Sequence, residues 1–126
     1  MVKNECLRYN KYRGNNMKLY LVRHAVTNWN EQGLMQGASN ISLNENGIME
    51  ANSAKELLKD INFDICISSP LNRTVETANI IVHNKCKIIC DDLLLERGLG
   101  DFEGKNYRLY KNHNFWDYKE NSVIME

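Results

Sequence analysis

Short apolar runs separated by polar turns follow one another along the chain, and three of them have the length of strands. They occupy residues 19–22, 63–67 and 87–90. Each run is mostly apolar and shows little alternation, which is typical of strands covered on both faces of a parallel sheet. We therefore predict three buried strands.

Two helices are predicted between these strands, and the first is marked by a capping residue and an apolar stripe. Asn44 is a suitable N-cap, and Glu45 suits the first turn that follows it. Apolar residues then recur three or four positions apart, at Ile48, Ala51, Ala54, Leu58 and Ile61. This spacing predicts one buried face of a helix.

The second helix is predicted to begin with Ser69 as its N-cap and Pro70 in the first position, where a missing N–H costs nothing. Its buried face is predicted to consist of Leu71, Val75, Ala78 and Val82. Because strands and helices alternate, the chain predicts right-handed βαβ units and a parallel sheet, which is an α/β fold.

The first sixteen residues differ from the rest of the chain. Residues 1–16 are polar and mildly basic, and they lack the apolar core of a secretion signal. We predict a disordered leader, and we hypothesise that Met17 is the true start of translation. Residues 17–126 suit one domain.

Composition limits the classes of partner and the cellular location. Sixteen Lys and Arg residues balance sixteen Asp and Glu residues, so the formal net charge is zero. This balance argues against binding of nucleic acid or membranes through bulk charge, and no apolar run approaches a membrane span. The four cysteines form no C-x-x-C pair, which favours reduced side chains in the cytoplasm over a metal site.

Charged residues suited to phosphoryl transfer follow each predicted strand. Arg23 and His24 come directly after the first strand. Arg73 lies in the helix after the second strand, and Glu96 follows the third. Because parallel strands end at one edge of a sheet, we expect these groups to meet there, beside the N-terminal backbone donors of the second helix.

These residue types divide the work of phosphoryl transfer among them. Arginine matches phosphate oxygens with a planar fork, and a neutral histidine is a nucleophile toward phosphorus. A protonated glutamic acid can supply the proton that a leaving alkoxide needs. We expect no metal and no cofactor, because the arginines neutralise the charge of the phosphoryl group.

Several ordered motifs resemble the signature of the histidine phosphatase superfamily, which includes the cofactor-dependent phosphoglycerate mutases and many phosphomonoesterases. The first is Leu-Val-Arg-His-Ala at 21–25, with Thr27 and Asn30 behind it. The others are Gln-Gly at 36–37, Leu-Asn-Glu-Asn-Gly at 43–47, Ile-Ser-Ser-Pro-Leu-Asn-Arg-Thr-Val-Glu-Thr-Ala at 67–78 and Leu-Glu-Arg-Gly-Leu-Gly-Asp-Phe-Glu-Gly at 95–104. The resemblance implies a three-layer α/β/α sandwich with a mostly parallel central sheet, as in phosphoglycerate mutase.

The resemblance also implies a role for each matching position. His24 would be the phosphorylated nucleophile, and Glu96 would act first as general acid and later as general base. Arg23 and Arg73 would bind the phosphoryl oxygens of a small phosphorylated metabolite. The phosphate pocket would also be lined by Thr27, Asn30 and Gly37. The stretch 100–104 resembles the phosphatases of the family more than the mutases.

One feature of the family pattern is missing from this sequence. The family has a second catalytic histidine, followed by glycine, at the end of a later inner strand. Neither His83 nor His113 follows a strand or precedes a glycine, so we expect an ordinary surface role for both. The chain thus resembles an incomplete, C-terminally truncated member. We expect impaired phosphatase activity and self-association through an exposed sheet edge.

Three functions stay open at this point. Phosphomonoester hydrolysis through phosphohistidine is the interpretation we favour. A cofactor-dependent phosphoglycerate mutase would share the same nucleophile. A non-catalytic remnant would bind phosphorylated ligands without turning them over. The sequence leaves open whether the chain is an active enzyme, and it does not identify the substrate.

Overall fold

A computed structural model describes residues 7–10 and 17–113 of the chain. The strands are β1 (Leu7–Asn10), β2 (Leu19–Val22), β3 (Cys66–Ser68) and β4 (Ile88–Cys90). The α-helices are α1 (Asn28–Gln32), α2 (Glu45–Leu57) and α3 (Asn72–Val82). Three short 3₁₀ turns follow at Asp92–Leu94, Gly100–Phe102 and Tyr107–Tyr110. Within these ranges, no helix is both long and apolar enough to cross a bilayer.

The strands β3 and β4 form a parallel pair, with α3 as the connection between them. Cys66 lies opposite Ile88, and Ser68 lies opposite Cys90. A parallel pair needs such a crossover, because a tight turn can join antiparallel neighbours only. This βαβ unit confirms the predicted α/β class and places the residues after both strands at one edge.

The strand β2 does not extend this parallel pair in the described part of the chain. It pairs instead with β1 in antiparallel register, with Leu7 opposite Val22 and Asn10 opposite Leu19. Residues 7–10 of the predicted disordered leader thus form a strand. The rest of the leader lies outside the described residues, and its disorder stays a prediction. The physical reason for the strand is that an open strand edge presents unpaired N–H and C=O groups, which an extended neighbour can satisfy.

The strand β2 is also more exposed than its apolar sequence predicts. Leu19, Leu21 and Val22 are all exposed, and Leu21 retains 49% of its accessible surface. On β3, Ile67 is likewise exposed by 55%. The prediction of strands buried on both faces is therefore wrong for these positions, because the elements that the structure describes leave one side of each strand uncovered.

The helix α2 begins where the sequence predicts. The side chain of Asn44 accepts the N–H of Gly47 at 2.8 Å, which confirms the predicted N-cap. The predicted apolar stripe is correct in part, because Ile48 is 46% exposed. The other four positions are buried or half-buried: Ala51, Ala54, Leu58 and Ile61.

The helix α3 begins later than predicted. Its first residue is Asn72 and its N-cap is Leu71, which makes no side-chain capping bond. Ser69 and Pro70 instead belong to the turn before the helix, where the Thr74 hydroxyl lies 2.8 Å from the carbonyl oxygen of Ser69. The Ser69 hydroxyl lies 3.4 Å from the N–H of Leu71. Because Leu71 precedes the first residue of α3, this contact does not cap the helix.

The helices α2 and α3 pack against each other and form the core. Ala54 and Leu58 meet Ile81 there, and Tyr20 and Phe63 pack at the border of the cluster. On α3 the buried set is not purely apolar: its buried residues are Arg73, Thr77, Ile81 and Val82. The predicted face is confirmed at Leu71 and Val82 and is half-buried at Val75 and Ala78. The polar residues Arg73 and Thr77 thus lie on the inner side of α3, which faces the ends of the strands.

Candidate active site

Three residues predicted to meet at the sheet edge line one pocket. His24 follows β2, Arg73 lies in the first turn of α3, and Glu96 comes after the turn that follows β4. The remaining walls are formed by Ser69, Leu71, Thr74, Leu94 and Leu95. The pocket measures about 180 Å³. This is less than the roughly 300 Å³ of pockets that enclose drug-sized ligands, so the space suits a phosphoryl group with a small attachment.

The ring of His24 is held in one tautomer by its own backbone. Its Nδ1 lies 2.8 Å from the carbonyl oxygen of Ala25. A carbonyl oxygen can only accept a hydrogen bond, so Nδ1 carries the proton. The lone pair is therefore on Nε2, which is the nitrogen available as a nucleophile.

The pKa of His24 is lowered below its ordinary value of 6.5. Burial of the ring is the largest cause, since it disfavours the charged imidazolium. The bond to Ala25 raises the pKa, the charges of Arg23 and Arg73 lower it, and the charge of Glu96 raises it. The positive charges of the two arginines thus favour the neutral ring, although burial contributes more than either arginine.

Arg73 is the most buried charged group of the site, with only 2% of its surface exposed. Its guanidinium donates to the carbonyl oxygens of Ser39 at 2.7 Å and Gly37 at 2.8 Å. Its Nε is buried and has no hydrogen-bond partner among the described residues. A buried donor without a partner costs free energy, so this N–H lowers the stability that burial of the guanidinium contributes.

Thr77 connects the two sides of the pocket, and the sequence did not single it out as a site residue. Its hydroxyl accepts the N–H of Ala25 at 3.0 Å and donates to the carbonyl oxygen of Arg73 at 2.6 Å. Thr77 thereby fixes the backbone beside His24 to the helix that carries Arg73. The available signal is its position four residues after Arg73, which places both on the same helix face.

Sequence comparison identifies the family to which the chain belongs. Residues 19–122 match the profile of the family described as Histidine phosphatase superfamily (branch 1). The chain belongs to the histidine phosphatase superfamily.

Relatives within the superfamily include both phosphatases and mutases. The chain is 42% identical over 85 residues to the uncharacterized phosphatase PhoE of Bacillus subtilis. This alignment covers 67% of the present chain and 44% of PhoE. The chain is also 39% identical over 94 residues to a 2,3-bisphosphoglycerate-dependent phosphoglycerate mutase of Allorhizobium ampelinum. That alignment covers 70% of the present chain and 44% of the mutase.

A solved structure of the superfamily supports the predicted fold. Phosphoserine phosphatase from Entamoeba histolytica, in complex with 3-phosphoglyceric acid, superposes with a TM-score of 0.65 at 35% identity. The match covers 78% of this chain and 48% of the phosphatase, which confirms the predicted fold class, a phosphoglycerate mutase-like α/β fold. The chain spans less than half the length of each of these three relatives.

Four residues that the resemblance assigned to phosphate binding do not line the pocket. Arg23 is exposed, although its charge reaches His24. Thr27 and Asn30 form a capping box at the start of α1, and Thr27 is fully buried, with its hydroxyl donating to Gln36 at 2.7 Å. Gly37 contributes through its carbonyl oxygen, which accepts from Arg73 as described above.

One of the backbone donors expected from the second helix is also engaged within the protein. The N–H of Asn72, the first residue of α3, donates to the side-chain oxygen of Asn40 at 2.7 Å. The side chains of the same two residues lie 3.2 Å apart. This contact ties the loop before α2 to the start of α3, so the Asn72 N–H is not free for an anion.

The other two histidines of this superfamily member lie outside the pocket. His83 is exposed and ends α3, which confirms its predicted surface role. His113 is half-buried, and its ring centroid lies 5.0 Å from that of Phe102, so a plain surface role is wrong for it. His24 is therefore the one histidine of the chain in the pocket.

Metal ligands do not gather in the part of the chain that the structure describes. No three His, Cys, Asp or Glu side chains of residues 7–10 and 17–113 come close enough to hold an ion. Cys66, Cys86 and Cys90 carry free thiols. Burial raises the pKa of the Cys66 thiol, which makes it less reactive as a thiolate. Cys6 lies outside the described residues.

Proposed function

We propose that the chain hydrolyses small phosphomonoesters through a phosphohistidine formed on His24. The observation that carries this proposal is the convergence of His24, Arg73 and Glu96 on one pocket. The family supports it, since the relatives include phosphatases.

The proposed reaction has two steps. In the first, Nε2 of His24 attacks phosphorus, the P–O bond to the leaving group breaks, and Glu96 gives its proton to the departing alkoxide. In the second, water attacks the phosphohistidine, Glu96 takes a proton from that water, and the P–N bond breaks. Inorganic phosphate leaves, and His24 returns to its neutral tautomer.

Arg73 is assigned the charge stabilisation in both steps. Its guanidinium is fixed by two carbonyl bonds before any substrate arrives, so little reorganisation is needed when negative charge develops. We assign to a phosphoryl oxygen the guanidinium N–H donors that these two carbonyl bonds leave unused. Arg23 would add long-range positive charge, and we assign Thr27 and Asn30 to the support of the loop after His24.

We further propose that turnover is slow. Among the described residues, the pocket is lined by one histidine and one arginine, so fewer fixed donors face the phosphoryl group there than the resemblance implies. Loss of one preorganised donor typically costs about 10²–10³ in rate.

The free thiols of the described part support the cytoplasm as the location of the protein.

Hydrolysis of p-nitrophenyl phosphate tests this proposal. We expect turnover about 10²–10³-fold below that of a full-length phosphatase relative assayed in parallel. His24→Asn should abolish it, whereas the matched variant His83→Asn should retain it. His83 has a left-handed backbone with φ of 38°, which Asn adopts readily. Equal activity of the wild type and His24→Asn would refute the proposal.

Phosphoglycerate mutase activity is a second candidate, and the mutase relative at 39% identity favours it. A mutase must protect its phosphohistidine from water, whereas Glu96 in this pocket is exposed. We therefore place hydrolysis first. Interconversion of 2- and 3-phosphoglycerate that depends on added 2,3-bisphosphoglycerate would reverse this order. Phosphate binding without either activity would identify a non-catalytic binding protein.

A further inference from the structure

A single carboxylate, that of Glu103, holds the loop on which Arg73 rests. Its Oε1 accepts the backbone N–H of Ala38 and that of Leu99, both at 2.9 Å. Its Oε2 accepts the hydroxyl of Ser39. A carboxylate with three donors from two separate segments fixes those segments relative to each other.

The opposite side of the same loop holds the guanidinium. The N–H and hydroxyl groups of residues 37–39 face Glu103, while the carbonyl oxygens of Gly37 and Ser39 face Arg73. Within residues 7–10 and 17–113, Glu103 and Arg73 are linked through this loop and make no direct ion pair. Movement of the loop must therefore move both acceptors of the guanidinium.

The packing around Gly37 shows how closely this loop meets the carboxylate. Gly37 has a φ of +51°, and a Cβ added there would overlap the carboxylate of Glu103 and lie 3.0 Å from Cγ of Leu99. The N–H of Gly104 donates to the carbonyl oxygen of Met35 at 2.9 Å, which fixes the segment after Glu103 to the segment before the loop. The loop thus has little freedom while these contacts stand.

Electrostatics supports the same link. Burial lowers the pKa of Arg73 most strongly, and the negative charges of Glu96 and Glu103 oppose that effect. For Glu103, burial would raise the pKa, but hydrogen bonds from Ser39, Leu99 and Ala38 outweigh it, and the net pKa is lowered. The carboxylate is therefore the favoured form while it holds the loop.

We propose that Glu103 is a positioning residue, which fixes loop 37–39 and thereby orients the Arg73 guanidinium toward the phosphoryl group. The inference rests on the proposed function, because it takes the pocket as a phosphoryl site. Glu103 touches neither the pocket nor the reacting atoms, so its effect must pass through Arg73.

The test combines Glu103→Gln with two readouts. The first is the NMR signal of the Arg73 Nε–H, assigned by its loss in Arg73→Lys. The second is the Kd for inorganic phosphate. Glu103→Gln removes the negative charge, and its amide N–H₂ can no longer accept the Ser39 hydroxyl as the carboxylate does, so we expect a shifted or broadened Arg73 signal and phosphate binding weakened about tenfold. Glu31→Gln, at an exposed carboxylate that accepts from Asn46, is the charge-matched control and should change neither readout.

A double variant separates positioning from a general loss of structure. If Glu103 acts through Arg73, adding Glu103→Gln to Arg73→Lys should change the phosphate Kd by less than about twofold. An equal loss of affinity in both backgrounds would overturn the proposal. An unchanged Arg73 signal in Glu103→Gln would overturn it as well.

Two further arms keep the outcome decisive. Should Glu103→Gln fail to fold, Glu103→Asp keeps the charge but is too short to reach both segments, and the same two readouts apply to it. Should the wild type fail to bind phosphate, the proposed function fails, while the Arg73 signal still decides whether Glu103 positions the guanidinium.

Discussion

At the scale of single residues, hydrogen bonds decide which atom of the site can react. The sequence indicated that His24 follows a strand and is a candidate nucleophile. It could not indicate which ring nitrogen is free, because that depends on the direction of the Ala25 carbonyl, 2.8 Å from Nδ1. Similarly, the hydroxyl of Thr27 was assigned to phosphate, but it donates to Gln36 inside the fold. Three-dimensional neighbours, which the residue type does not reveal, decided both cases.

The lowered pKa of His24 gives a prediction that needs no enzyme activity. In a ¹H NMR titration, the His24 ring should titrate below pH 6.5, because burial disfavours the imidazolium. The signal is assigned by its absence in His24→Asn.

The same shift has a consequence for stability. As the pH falls through 6.5, the unfolded chain binds a proton at His24 before the folded chain does, so this residue's contribution to stability is present above pH 6.5 and is lost below it. Titration of His24 above pH 6.5 would contradict the buried, neutral ring.

At the scale of elements, local sequence signals predicted where strands and helices occur. They predicted less well which side chains of those elements are buried. The βαβ unit of β3, α3 and β4 follows from strand–helix alternation, and Asn44 marked the start of α2. The start of α3 was predicted too early, because the Ser69-Pro70 pair suits both a helix start and a preceding turn. The apolar stripe did not predict that Arg73 and Thr77 on the inner side of α3 are buried, because specific hydrogen bonds make their burial possible.

The exposed strands lead to a prediction about self-association, which we propose as a property of this chain. Apolar side chains on β2 and β3 remain open to water, and such strands can pair between molecules. Light scattering should therefore show an apparent mass that rises with protein concentration. Leu21→Thr combined with Ile67→Thr should reduce that rise, and threonine is a β-branched residue that suits a strand at both positions.

Leu109→Thr is the matched control for this experiment. Leu109 is 77% exposed, but it lies in the last 3₁₀ turn and on no strand. This variant should associate as the wild type does. A constant monomeric mass in the wild type, or an equal effect of Leu109→Thr, would contradict association through the strands.

At the scale of the whole molecule, ordered motifs carried more information than any single pattern. The Arg23-His24 pair alone was weak, but Arg73 and Glu96 follow the next two strands, and the structure brings both to the same pocket as His24. The sequence could not reveal that β2 pairs with β1 and that β3 pairs with β4, because apolar runs do not encode strand order. It also could not reveal that Glu103 and Arg73 hold one loop from opposite sides, since 30 positions separate them.

The central claim is that His24 carries the phosphoryl group, and trapping this intermediate tests it most directly. The protein is incubated with p-nitrophenyl phosphate, quenched in base, and analysed by mass spectrometry and ³¹P NMR. We predict one acid-labile phosphate on Nε2 of His24, absent from His24→Asn and retained in His83→Asn. Absence of phosphate from His24, or its attachment to Nδ1, would contradict the account.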